Sequence, residues 1–481
     1  MHMRHGISSA CETHFSAPTF RFSPNIYYLR SENRPADGPG QETTIMRKIL
    51  STWMALALCG TLGAQEYTPS QGLELPRGHV APCPTREEVA AAAGRNNRYF
   101  TRLDGWNREG GRFTARFTVP FAWANRQVLL HVDHASGDYE VRVNGRAAAR
   151  NSNGSAPAEY NLTRLVHEGA NTLEIELLQP SATAALESWQ ESPAPTLGDA
   201  WLMSPPTMYV RDVLVKNSRA RATDDFLTAE VGIVVKTAAL NPRTSRIYYE
   251  LLAPDGTTAA IGHNDMTLDM RREDTLRFLA RIPDTLQWNA ASPVRYTLRL
   301  KTRHEGRDIE HLEFHPGFRT AETTANGRLL VNGQPVALRV REVRPDIGTD
   351  EIEALRDQGY NTLRLLPGAA NESLYDTCDS LGVYLIVTAP VDTRRSGLSR
   401  RKGGNPSNDP AWQGAYIERA EAVYHTAKRH PSVIGFALAR QSANGINLYE
   451  TYLHMKRFDE IRPFVYPDAE GEWNSDRLLT E

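Results

Sequence analysis

Residues Ile434 to Gly445, IGFALARQSANG, read as a buried strand that runs into a polar loop. Ile434, Phe436 and Leu438 alternate as one face of that strand, and Arg440, Gln441 and Asn444 emerge at the end where a parallel sheet keeps its chemistry. None of the three is a carboxylate. The Gln441 amide neither takes nor gives a proton usefully near neutral pH, and the Arg440 guanidinium keeps its proton throughout that range. Acid–base chemistry therefore has to come from other positions. Asp392 and Asp468 each stand just beyond a predicted strand and are the candidate replacement acids, although solvated loop carboxylates are far commoner than relocated catalytic ones. Asp468, Glu470 and Glu472, in YPDAEGEWNSD, could surround a hard cation, but the spacing lacks the full calcium-loop pattern and a solvated acidic turn is the expectation. The histidines lack zinc spacing and no nucleophile elbow is present, so neither metal nor cofactor is expected. Arg364, at the end of NTLRLL, either grips a hydroxyl or carboxylate of a ligand or pairs with a neighbouring acid. Gln441 either contacts a bound ligand or is tolerated polar lining, and Arg364, Gln441 and Asn444 are the substrate-contacting candidates.

Three kinds of segment must position these residues. In a first domain, 65–215, the pattern has period two from Phe113 to Val215: Val128, Leu130 and Val132 point one way, then Tyr139, Val141 and Val143 run into the turn pair Asn144-Gly145, and Leu173, Ile175 and Leu177 alternate with glutamates. Short strands at this spacing predict a β-sandwich. Trp106, Trp123, Trp189 and Trp201 fall in or near it; an exposed pair would make a sugar platform, whereas most sandwich tryptophans are core. Residues 216–320 give a second all-β region of immunoglobulin-like size, with Pro254-Asp255-Gly256 as a turn. From 321 to 481 a hairpin closed at Asn332-Gly333 precedes helices and strands in alternation, which is the grammar of parallel β/α units. About five such units fit this stretch, fewer than a complete eight-stranded barrel of about 250 residues needs.

The whole chain has 481 residues and a formal net charge of -2, which gives no reason to expect nucleic acid or an anionic membrane as partner, and no Lys/Arg-rich run argues otherwise. MRKILSTWMALALCGTLGAQ, from Met46, has a basic start, an apolar run too short to span a bilayer, and small residues before Gln65. It predicts a signal peptide cleaved after Ala64, hence a secreted or periplasmic protein with Met46 as its true start and residues 1–45 as an untranslated or unstructured extension. Of the cysteines beyond it, Cys83 and Cys378 fall in different predicted domains; a bridge between them has no support, and Cys378 reads as a small buried hydrophobe.

The order of these regions, with VRVNGRAAARNSNGSAPAEYNLTRLVHEGANTLEIEL, LEFHPGFRT, VNGQPVALR, YDTCDSLGVYLI and RHPSVIGFAL, resembles glycoside hydrolase family 2, the β-galactosidase and β-mannosidase group. The resemblance implies a jelly roll, an immunoglobulin-like domain and a (β/α)8 barrel, acting on carbohydrate. It also implies that the strand Ile434–Leu438 leads into an Asn-Glu pair whose Glu is the general acid/base; Arg440 and Gln441 stand there instead. The family's nucleophilic Glu lies on a later strand, and retaining hydrolysis needs two carboxyls about 5 Å apart. The expectation is a chain that keeps the scaffold, lacks ordinary turnover, and binds carbohydrate or a protein, the latter through the open edges of an incomplete barrel. Two alternatives accompany it: an active β-glycosidase with relocated acid catalysis, Asp392 foremost, or with strands supplied by a partner; and a gene remnant without selected function.

Overall fold

The computed structural model describes residues 67–480 except 76, 79, 92–95, 191–192, 222, 371 and 470–474. The signal-like stretch, Glu470 and Glu472 lie outside the described residues. In the first sandwich a four-stranded sheet, Phe100–Arg102, Ala200–Met203, Leu129–Val132 and Ala158–Asn161, faces a five-stranded one built around Arg112–Val119, Gly169–Leu177 and Tyr139–Val143. The period-two residues meet between them: Leu130, Val132, Tyr139, Val141, Val143, Leu173 and Ile175 are each fully shielded from solvent in one core. Asn144 and Gly145 both take positive φ, 52° and 76°, the turn that matches strand twist in a two-residue hairpin.

The second sandwich packs three strands, Met208–Ser218, Phe226–Thr237 and Glu273–Pro283, on four, Thr258–Leu268, Arg243–Leu252, Thr297–His304 and Arg307–Phe314. Strand Met208–Ser218 crosses the boundary expected at 215/216. Its Met208, Val210 and Val213 are buried in the second core, so this sandwich starts at 208. Continuous alternation had hidden the change of domain, because both sandwiches share one period.

The third region is a partial barrel of β/α units. Five parallel strands pair in consecutive order: β1 (Val340–Val343), β2 (Thr362–Leu365), β3 (Tyr384–Thr388), β4 (Val433–Ala437) and β5 (Phe464–Val465). Between them run α1 (Thr349–Asp357), α2 (Glu372–Leu381), α3 (Gln413–Ala427) and α4 (Ile446–Met455). Helices α1 and α2 are followed by Gly359 and Gly382, which take φ of 88° and 71° at no side-chain cost. In α1 Ala354 is exposed, and only Ile352 and Leu355, three residues apart on one face, are buried.

The two faces of this sheet differ. Leu363, Leu365, Leu385, Val387, Val433, Phe436 and Leu438 point toward the helices, whereas Tyr384, Ile386, Ile434, Ala437 and Val465 point the other way onto Trp288 and the hairpin strands Leu329–Val331 and Gln334–Val336. The expectation that Ile434, Phe436 and Leu438 share one face is corrected here. Pairing of β3 with β4 skips a residue, Leu385 opposing Val433 and Ile386 opposing Gly435, and that bulge turns Ile434 to the opposite side. Cys83 and Cys378 are both buried free thiols, Cys378 within the helix-side core.

The sandwiches and the sheet are locked by buried charge. Arg419 of α3 is fully buried and its Nη2 lies 2.9 Å from Oε1 of Glu187, on the loop preceding strand Ala200–Met203. The same guanidinium donates to the carbonyls of Pro390 and Ser152 at 2.8 and 3.1 Å. Arg319, at the end of LEFHPGFRT, donates to the carbonyls of Pro431 and Val433 and joins the second sandwich to β4.

Candidate functional site

At the C-terminal ends of β1 and β2 the inward side chains become charged. On β1 and β2 the successors of Val340 and Thr362 on their own face are Glu342 and Arg364, which are register partners. Glu342 Oε1 lies 3.5 Å from Arg364 Nη1, and its Oε2 accepts from Arg440 Nη2 at 3.1 Å. One carboxylate therefore serves two guanidiniums. Burial pushes the Arg364 guanidinium below its ordinary range, with Glu342 the main opposing influence.

Arg440 and Gln441 follow β4 as expected. Gln441 is exposed and takes a φ of 43°, a left-handed conformation that a non-glycine residue adopts only when its surroundings hold it. Two contacts do so: its backbone N–H donates to Asp468 Oδ2 at 3.0 Å, and its Oε1 accepts from Arg394 Nη1 at 3.0 Å. Asp468, just past β5, is thereby drawn to the same strand ends. Asn444 is half-buried farther along the loop, and its carbonyl faces the Asn408 amide at 3.5 Å.

Asp392 is at these strand ends too, but its side chain is fully buried. Its backbone bridges Glu187 on one side and Arg440 on the other, so a first-sandwich loop is stitched to the sheet here. Oδ1 accepts from the Arg394 backbone N–H at 3.1 Å and Oδ2 lies 3.4 Å from Arg394 Nε. Burial pushes this carboxyl up from its ordinary range, yet no face of it meets solvent. A group so placed orders the Arg394 loop; it is not presented to a bound glycan.

The first sandwich also reaches this edge. Arg394 Nη2 donates to the Ser188 carbonyl at 3.3 Å, and Arg395 Nη2 to the carbonyls of Glu187 and Gln190, both at 2.8 Å. Trp189, within that loop, is half-buried. The other candidate tryptophans take different roles. Trp123 is core, Trp106 is half-buried against the same core, and Trp201 stacks on His131 at a centroid distance of 3.9 Å, away from the strand ends. Among the described residues the one cluster with metal-ligand geometry, Asp376, Asp379 and His430, is elsewhere; there His430 Nδ1 is 2.7 Å from Asp379 Oδ2, while Asp379 Oδ1 accepts from the Ser432 N–H beneath β4 at 3.0 Å.

Sequence reasoning missed Glu342. Its signal was the alternation of VREV, in which Val343 is buried on the helix side and residue 342 must then face inward. It was passed over because β1 is only four residues long and richly charged.

Two β-sandwiches followed by a parallel β/α sheet with charged strand ends define a multidomain glycoside hydrolase scaffold. Residues 336–480 match the TIM barrel domain of glycosyl hydrolases family 2, and the chain is similar to members of that family. It is 24% identical over 378 residues to a β-galactosidase of Priestia megaterium (strain DSM 319 / IMG 1521), a match covering 74% of this chain and 36% of the relative. A β-galactosidase of Aeromonas hydrophila subsp. hydrophila is 27% identical over 377 residues, covering 74% and 36%. The matched chain thus spans about a third of the length of these relatives. The fold is similar to that of a glycosyl hydrolase family 2 member from Bacteroides cellulosilyticus DSM 14838, with a TM-score of 0.62, 18% identity, and coverage of 74% of this chain and 49% of that one.

Proposed function

We propose that the strand-end face of this β-galactosidase-like chain binds a glycan without hydrolysing it through position 441. One observation carries this reading. The side chain standing where the family resemblance implies a general acid is an amide, and its oxygen is engaged by Arg394 at 3.0 Å. Expulsion of a leaving oxygen needs a proton donor within hydrogen-bond reach, and neither Gln441 nor its guanidinium neighbours can release a proton near neutral pH. The remaining polar groups, Arg364, Arg440 and Asn444 with Gln441, are suited to holding hydroxyls and carboxylates in place.

The test is turnover of aryl β-galactoside and β-mannoside by the purified chain, paired with calorimetric titration of oligosaccharides. Binding without turnover is expected. Gln441→Glu is not expected to restore activity, because a carboxylate beside Arg394 stays ionised and has no proton to give. A rise of about a hundredfold, the usual contribution of a general acid, would overturn the reading.

A second reading is favoured by one specific observation: Glu342 and Asp468 place two carboxylates at the strand ends. In it the chain is an active β-glycosidase with relocated groups. Turnover abolished by either Glu342→Gln or Asp468→Asn would establish it and displace the first.

The chain is further proposed to be exported, on the strength of the basic, apolar and small-residue pattern of Met46 to Ala64. No helix among the described residues is long and apolar enough to cross a membrane. Intact mass of the mature protein should give Gln65 as first residue; retention of Met46 would refute this.

A further inference from the structure

Away from the strand ends, α3 places Glu418, Ala422 and Thr426 four residues apart on one face. That face meets the outer side of the first sandwich's four-stranded sheet, where His131 is paired across strands with Glu159 and Trp201. Between them lies a cavity of about 190 Å³, room for about six water-sized groups at about 30 Å³ each. Among the described residues, six carboxylates line it against the one guanidinium of Arg77. Four of the six have a basic partner: Glu159 with Arg77, Glu74 with Lys236, Asp199 with Arg102 and Glu372 with Arg429. Asp133 and Glu418 have no Lys or Arg partner among the described residues. Asp133 faces the His134 ring at 3.1 Å, and Glu418 accepts from the hydroxyls of Tyr67, at 2.7 Å, and Ser70.

The cavity also holds an unanswered acceptor. Asn153 is 4% exposed and lines the cavity, and its Oδ1 has no hydrogen-bond partner among the described residues. A buried acceptor left in this state costs free energy until a ligand or water donates to it. Glu418 is held close by, because the Ser70 hydroxyl that donates to it also accepts from the N–H of Ser152, the residue before Asn153. On the other side the Ala135 N–H donates to the Gly154 carbonyl at 2.7 Å, which brings the Asp133 end of its strand against the residue after Asn153.

We propose that this cavity binds a small organic cation, a protonated primary amine whose N–H donors meet Asn153 Oδ1 and the carboxylates of Glu418 and Asp133. The inference does not depend on glycan binding, and the cavity shares no residue with the strand-end face. An ammonium group fits because it brings only donors to a set of acceptors, and because the charge left without a basic partner is negative. A neutral polyol would leave those two charges uncompensated. A bare metal ion fits poorly: among the described residues no three of these carboxylates bring oxygens within 4.8 Å of one another, whereas a divalent cation needs its oxygens about 2.0–2.6 Å from its centre. The carbon chain of the ligand lies along Leu73, Ala158 and Ala422, the apolar part of the wall.

The experiment is calorimetric titration of the purified chain with 1,4-diaminobutane, with 1,4-butanediol as its uncharged isostere, with galactose, and with calcium chloride. The diamine should bind saturably and about tenfold or more tightly than the diol, since one charge-assisted hydrogen bond suffices for that ratio, and its affinity should fall with salt. Glu418→Gln keeps an acceptor for Tyr67 and Ser70 while removing the charge, and Asn153→Leu removes the unpartnered acceptor at similar volume. Each should weaken the diamine by about tenfold at an unchanged melting temperature. Asp133→Asn repeats the charge test if Glu418→Gln does not fold. Equal affinity for the diol or for galactose would overturn the ammonium in favour of a neutral polyol, and displacement of the diamine by calcium would overturn it in favour of a metal site. Failure to saturate at millimolar diamine, or binding indifferent to these substitutions, would leave the cavity to water alone and end the proposal.

Discussion

Replacing Arg419 by alanine is expected to cost about 3–5 kcal/mol of stability, the largest single effect foreseen in this chain, because it strands the carboxylate of Glu187 in a dry interface. Arg419 and Glu187 have side-chain exposures of 0% and 3%, so solvent screening does little to soften the loss. The carbonyls of Pro390 and Ser152 lose their donor as well. Since Glu187 adjoins the Ser188–Gln190 stretch that receives Arg394 and Arg395, the same change should loosen the strand-end loop. Urea denaturation of the variant measures the first effect, and protease susceptibility between Thr393 and Asn405 the second. Replacing both partners with apolar residues, Arg419→Met with Glu187→Leu, should recover most of the stability, because the buried charge is then gone from both sides. A loss below about 1 kcal/mol in the single variant would show the pair to be exposed in solution and the interlock absent.

The second large effect is a dependence of stability on pH centred on Glu310 in the second sandwich. Its side chain is 1% exposed; Oε2 accepts from the Val210 N–H at 3.0 Å and from Thr302 Oγ1 at 2.9 Å, and Oε1 has no hydrogen-bond partner among the described residues. Burial pushes the carboxyl up to about 7 from an ordinary 4.5, against these hydrogen bonds. The folded state then keeps a proton that the unfolded chain releases. Between pH 4.5 and 7 folding binds the extra proton, so stability falls as pH rises through that window and levels off above it. The fall amounts to about 3 kcal/mol for a shift of this size. Glu310→Gln retains an acceptor for Val210 and Thr302 and cannot ionise. Its amide N–H groups lack an acceptor, which reduces the expected gain to about 2 kcal/mol in mildly alkaline buffer, with little difference from the parent near pH 4.5. Thermal melts of both proteins across this range decide it, and parallel curves would remove Glu310 as the cause.

Much of the architecture was legible in the chain because local patterns have local causes. Alternation at Val141, Val143, Leu173 and Ile175 required a sheet with one buried face, and glycines 359 and 382 ended helices because a positive φ is cheap there. The same locality explains the errors. A domain boundary inside Met208–Ser218 does not alter the period of its side chains, and the bulge at Ile434 depends on the partner strand, which no single segment encodes.

By itself, then, the sequence determined the succession of two sandwiches and parallel β/α units, and the placing of an amide at position 441, since periodicity and residue identity are carried by adjacent residues. Only the tertiary structure decided that Glu342 and Arg440, 98 residues apart, share an ion pair with Arg364, that Asp392 faces inward, and that a sandwich loop 206 residues before Arg394 completes the strand ends. The reason is physical: a charged group's chemistry is set by what lies within a few ångströms of it in space and by its access to water, and neither quantity is a property of its neighbours in the chain.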